Sequence, residues 1–135
     1  MAYTPYKLLV FIPPLSSVTL EEVVEKLRTK FASQKVSIAR SGEKVVIKRE
    51  SWSLNVYWED EPHVLEEAQE IADHFANHRP DKDVIASSQR RLTTAGDPDP
   101  NMDYFNDYVW MIEAFEAIPE FIIFDANNGK FMDEM

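Results

Sequence analysis

The chain has 135 residues, 44% hydrophobic and 12% aromatic, with no cysteine and a formal net charge of −10. That length suits one domain with a sizeable core; the composition excludes an intrinsically disordered chain, and the lack of cysteine excludes disulfides and thiol nucleophiles. Residues 1–54 carry nine Lys/Arg against five Asp/Glu, a net of +4, whereas residues 55–135 carry five against nineteen, a net of −14. Such an acidic half repels nucleic acid and suits a basic partner.

Apolar runs such as residues 7–15 and 121–124 are too short to span a membrane. No basic segment followed by an apolar stretch and a small-residue cleavage site opens the chain, so a cytoplasmic protein is expected.

In chain order, residues 6–12 (Tyr-Lys-Leu-Leu-Val-Phe-Ile) predict a buried strand, ended by Pro13-Pro14, which cannot continue a ladder. Thr19 and Glu22 match a capping box, and the helix they open puts Leu20, Val23, Val24, Leu27 and Phe31 on one face. Three strands follow as a meander, residues 36–40, 44–50 and 52–59, with Trp52, Leu54, Val56 and Trp58 alternating toward the core. Arg40, Lys44, Lys48 and Arg49 are expected to make its outer face basic. Glu61-Pro62 opens a second helix, with Val64, Ala68, Ile71, Ala72 and Phe75 as its apolar stripe and His78-Arg79-Pro80 as its end. His74 and His78 stand four apart, but cations at a helix C-terminus explain them better than a zinc site.

Residues 83–95 are ambiguous: Val84-Ile85-Ala86 and Arg91-Leu92-Thr93-Thr94 each suit a short strand, and one strand is expected here. Arg90 and Arg91 are candidates for gripping an anionic ligand, against the alternative that they pair with nearby acids and pin the loop. A third helix is expected from about Met102 to Ile118, then a strand at residues 121–124 and a tight turn at Asn128-Gly129.

The run from Asp97 to Tyr108 is the most distinctive feature. Asp97, Asp99, Asn101 and Asp103 alternate as in the opening of a calcium loop. Met102 stands where that loop needs glycine, and Tyr108 where it needs a bidentate glutamate, so no metal site is assigned. Helix capping by Asn101 and dipole stabilisation by Asp103 and Asp107 account for part of the charge. The helix that follows is apolar around more of its circumference than a surface helix needs: Phe105, Val109 and Ile112 form one stripe, and Tyr104, Tyr108, Met111 and Phe115 an adjacent one. Either this helix is central to the fold, or Trp110 and one aromatic edge form a docking patch ringed by carboxylates.

Arg90-Arg91-Leu92, the run from Asp97 to Tyr108 and the ending from Phe124 through Asp125, Asn128-Gly129 and Phe131 resemble a group of small uncharacterised bacterial proteins. The ending, a helix then a strand then Asp and a glycine turn, is also similar to several immunity proteins of bacterial toxin systems. The resemblance spans the last third of the chain. It implies a small, acidic, cytoplasmic α+β domain that blocks a toxin by binding it, and it assigns no site residues.

These readings converge on a single α+β domain over residues 1–135, mainly an antiparallel sheet with three helices in β-α-β-β-β-α-β-α-β order. The expected function is a non-enzymatic, acidic protein-binding module, an immunity-like inhibitor of a basic partner, with Asp97, Asp99, Asp103, Asp107 and Trp110 as the contact set. No catalytic constellation and no cofactor are assigned. The alternative is a small-ligand or divalent-metal-binding domain using the acidic loop 97–107, with Arg90 and Arg91 as ligand-binding residues.

Overall fold

In a computed structural model, which describes residues 4–134, β1 (Leu8–Ile12) is buried along its whole length because it lies inside the sheet and is covered on both faces. It pairs antiparallel with β5 (Arg90–Gly96) on one side and β6 (Ile122–Asp125) on the other. The chain's first strand is thus stitched to two of its last. Beyond β5 lie β4 (Trp52–Glu59), β3 (Lys44–Arg49) and β2 (Ser37–Ser41), and beyond β6 lies β7 (Lys130–Phe131), giving seven antiparallel strands ordered β2-β3-β4-β5-β1-β6-β7.

The pleat sends alternate residues to two separate cores. Leu8, Val10 and Ile12 join Trp52, Leu54 and Val56 under α1 (Leu20–Lys30) and α4 (Phe105–Glu116), whereas Leu9 and Phe11 meet α2 (Pro62–Phe75) and α3 (Lys82–Ala86) on the opposite face. The result is one α+β domain of three layers. Thr19 caps α1 by accepting the Glu22 amide at 3.3 Å, as its sequence position predicts. No helix among the described residues is long and apolar enough to cross a membrane.

Three expectations are corrected here. Val84-Ile85-Ala86 lies in α3, a single helical turn, not a strand. Its β-branched residues favour extension, but burying Ile85 beneath α2 overrides that preference. The last long helix begins at Phe105, not Met102, because Pro98, Pro100 and the left-handed backbone of Met102 (φ 58°) hold the preceding residues out of helical geometry. The outer face of the meander carries only Lys44 and Lys48 of its expected cations. Arg40 pairs across the ladder with Val45, and Arg49 with Trp52, so both point toward the helices, where Arg40 meets Glu21 and Arg49 meets Asp107.

Candidate functional site

Helix α4 divides its circumference three ways. Tyr108, Met111 and Phe115 enter the core, and Trp110 packs edge-on against Phe31 of α1, ring centres 5.9 Å apart. Phe105, Val109, Ile112 and Glu116 follow one another along a third stripe, which forms one wall of an open trough of about 840 Å³. Pro5, Tyr6, Asn127, Asn128 and Met132 line it as well, Tyr6 stacking on Tyr108 of α4 with ring centres 4.6 Å apart, and so does the loop from Pro98 to Met102. Met102 is 58% exposed and Phe105 38% exposed, so the loop and the helix start present apolar surface to solvent.

The acidic run builds this wall from inside. The Asp97 carboxylate accepts the Ser53 amide at 2.9 Å, and its carbonyl accepts the Trp52 indole N–H at 3.0 Å, tying the loop to β4. The Asp99 carboxylate accepts the Tyr6 hydroxyl at 2.6 Å and the amides of Asp103 and Tyr104 at 2.9 and 3.0 Å. Asp99 therefore does the capping work that sequence assigned to Asn101, satisfying amides just ahead of α4. Tyr104 stacks on Trp52 with ring centres 4.5 Å apart. Burial, with Glu50, Asp103 and Asp99 nearby, holds the Tyr104 phenol above its usual range. Tyr6 and Met102, both trough residues, have positive φ without being glycine, a conformation that persists only where surrounding contacts impose it.

The expected contact set is dispersed. Asp107 is 3% exposed and forms a two-pronged pair with Arg49, at 2.9 and 3.1 Å, while Gln34 accepts from the same guanidinium. Asp107 thereby holds the Arg49 guanidinium above its ordinary pKa, and it offers no carboxylate to the surface. Trp110 is half-buried, Asp97 and Asp99 are spent on loop structure, and Asp103 alone of the five is exposed. The D-x-D-x-N-x-D oxygens do not converge, and among the described residues no group of three His, Asp or Glu side chains is placed to hold a metal ion.

Arg90 and Arg91 are structural as well. Arg90 donates to the carbonyls of Pro13 and Ser16 at 2.9 and 2.8 Å, pinning the loop after β1. Arg91 is 4% exposed and bridges Glu59 and Glu67 at 2.8 and 2.7 Å. His74 and His78 part company: His74 engages the Glu70 carbonyl, while His78 meets Glu134.

The trough's lining includes four carboxylates (Asp99, Glu113, Glu116 and Asp125) and, among the described residues, no Lys, Arg or His. Asp125 is turned into its own loop, accepting the amides of Asn127 and Asn128, and Glu113 meets Lys30 at 2.6 Å. Glu116 is exposed with no ion-pair partner among the described residues. Sequence reading missed this site, although the Phe105, Val109 and Ile112 stripe was its signal. Comparison with protein-family models, curated proteins and solved structures gave no significant match.

Proposed function

We propose that this chain is a non-enzymatic binding module, immunity-like in type, whose trough receives a segment of a basic protein partner. The observation that carries the reading is the trough itself: an apolar, preformed concavity whose formal charges, among the described residues, are all negative. An apolar floor supplies the affinity of buried surface, and a rim of one sign of charge steers and selects a partner of the other. The loop wall is fixed by Asp97 and Asp99 before any partner arrives, which lowers the ordering cost of binding. The resemblance to immunity proteins and the acidic second half point the same way. The cysteine-free composition suits a reducing compartment, and we place the protein in the cytoplasm.

The volume also falls within the range of small-molecule sites, about 300–1,000 Å³, which makes an apolar organic cation the second reading. Affinity capture from native cell extract at low salt, run in parallel with a Met102→Lys/Glu116→Lys variant, tests the proposal. The expected result is a basic protein held by the wild type, lost by the variant, and released as ionic strength rises. Capture of the same proteins by both forms, or retention unaffected by salt, would overturn it.

A further inference from the structure

We infer that the segment docking in the trough is an amphipathic α-helix with basic residues flanking an apolar stripe. The inference rests on the trough being the docking site and follows from hydrogen-bond accounting. An extended peptide laid in an apolar trough must find partners for its own amides and carbonyls, at a sheet edge or from side-chain donors. This trough offers no sheet edge and few side-chain donors. Asp125, the one strand residue in the described lining, is paired with Leu8 on one side and Lys130 on the other, and the open edge of β7 lies outside the lining. Pro5, Pro98 and Pro100 in the lining have no amide hydrogen. The Tyr6 hydroxyl is engaged by Asp99, and the Asn127 and Asn128 side-chain amides each commit one N–H, to the Thr4 carbonyl and to Asp125, which leaves one N–H apiece for a whole peptide backbone. The carboxylates accept and cannot donate to a peptide carbonyl. A helix satisfies its backbone internally and presents only side chains.

The stripe on α4 has the matching form. Phe105, Val109, Ile112 and Glu116 occur at i, i+4, i+7 and i+11 along a helix of 12 residues, exposed at Phe105 and Glu116, part-exposed at Val109 and recessed at Ile112, over a length of about 18 Å. A second helix laid along it would place apolar residues at the same spacing and bring Lys or Arg to Glu116 and Glu113.

The test is selection of a displayed library of random peptides, about 16 residues long to give four turns, on the folded protein, with counter-selection on the Met102→Lys/Glu116→Lys variant. Both positions are exposed, and matching thermal melts show that the variant is folded. Enriched peptides are expected to carry apolar residues at three- and four-residue spacing with Lys or Arg beside them. Inserting a central proline is expected to weaken each by at least about tenfold. Enriched peptides with alternating or proline-rich patterns, or indifference to the proline, would overturn the helix while leaving the trough as the site. If no peptide prefers the wild type to the variant, the trough is not the docking site and both readings fall.

Discussion

The Tyr6 hydroxyl donates to the Asp99 carboxylate at 2.6 Å, joining the entrance of β1 to a loop 93 residues later. The same carboxylate takes two backbone amides ahead of α4, so one side chain sets both a trough wall and the start of a helix. Asp99→Ala is expected to cost about 1–2 kcal/mol in urea unfolding, with faster amide exchange across residues 99–104. Asp99→Asn, which keeps one acceptor oxygen, should lose less. Unchanged exchange in the alanine variant would refute this account of the loop.

Arg49 and Asp107 form the most buried acid–base contact beneath α4. Removing the carboxylate leaves a guanidinium that reaches solvent only in part, so Asp107→Ala should destabilise by about 2–3 kcal/mol. The paired change Arg49→Met/Asp107→Leu should recover much of that loss, because neither charge is then buried alone. Chemical denaturation of the three variants measures the difference.

Trp110 separates stability from binding. It lies against Phe31 and away from the trough. Trp110→Ala should therefore cost about 1–3 kcal/mol of folding stability through lost packing. Peptides selected on the trough should bind the folded variant with little change. Calorimetry together with anisotropy checks both halves, and lost binding with intact stability would return Trp110 to the contact set.

Acid sensitivity is expected at Glu59. Burial pushes its carboxyl up, but hydrogen bonds from Thr93 and Arg91 outweigh burial and hold it below the ordinary value of 4.5. A lowered folded value means that folding favours the ionised form. Its contribution is full above about pH 4.5 and fades as the pH falls through the lower folded value. The stability gap between wild type and Glu59→Gln should accordingly narrow from neutral toward acid pH. A gap independent of pH would show that ionisation of Glu59 adds nothing.

Close approach at Gly96 gives a further check. A Cβ there would meet the Tyr6 ring at 2.9 Å and the Trp52 ring at 3.2 Å. Gly96→Ala is expected to destabilise by about 1–3 kcal/mol through overpacking, seen as a lowered Tm.

Periodicity made much of this fold legible. β1, α1, the meander and α2 each carry an apolar repeat matched to their geometry, and a structured neighbour covers the predicted face, except at Phe75 of α2, which stays 41% exposed. Where the sequence misled, the deciding partner was remote. Asp107 reads as an outward, dipole-stabilising acid until Arg49, 58 residues earlier in the chain, is brought beneath it. Asp99 reads as surface charge because Tyr6 lies outside any local window. The excess apolar surface of α4 was visible, and so was the choice between core and docking edge. The helix is core along one side and exposed apolar surface along another. Its exposed edge lies at Phe105 and Met102, not at Trp110, and the other lining residues Pro5, Asn127 and Met132 have no pattern linking them to α4.

The placement of β1 between β5 and β6 also dictates the order of assembly. Leu8-Leu9-Val10-Phe11-Ile12 precedes its ladder partners, residues 90–93 and 122–125, by most of the sheet's length of chain. Helix α1 and the β2–β4 hairpins can form from near neighbours, whereas the most apolar strand needs residues up to 125 before both of its sides are paired. A nascent or truncated chain ending before Ile122 leaves one side of that strand as an open, hydrophobic edge, the surface on which stray pairing begins. Closure around β1 is thus the longest-range step in building the sheet, and pulse-labelled exchange is expected to show its amides protected last.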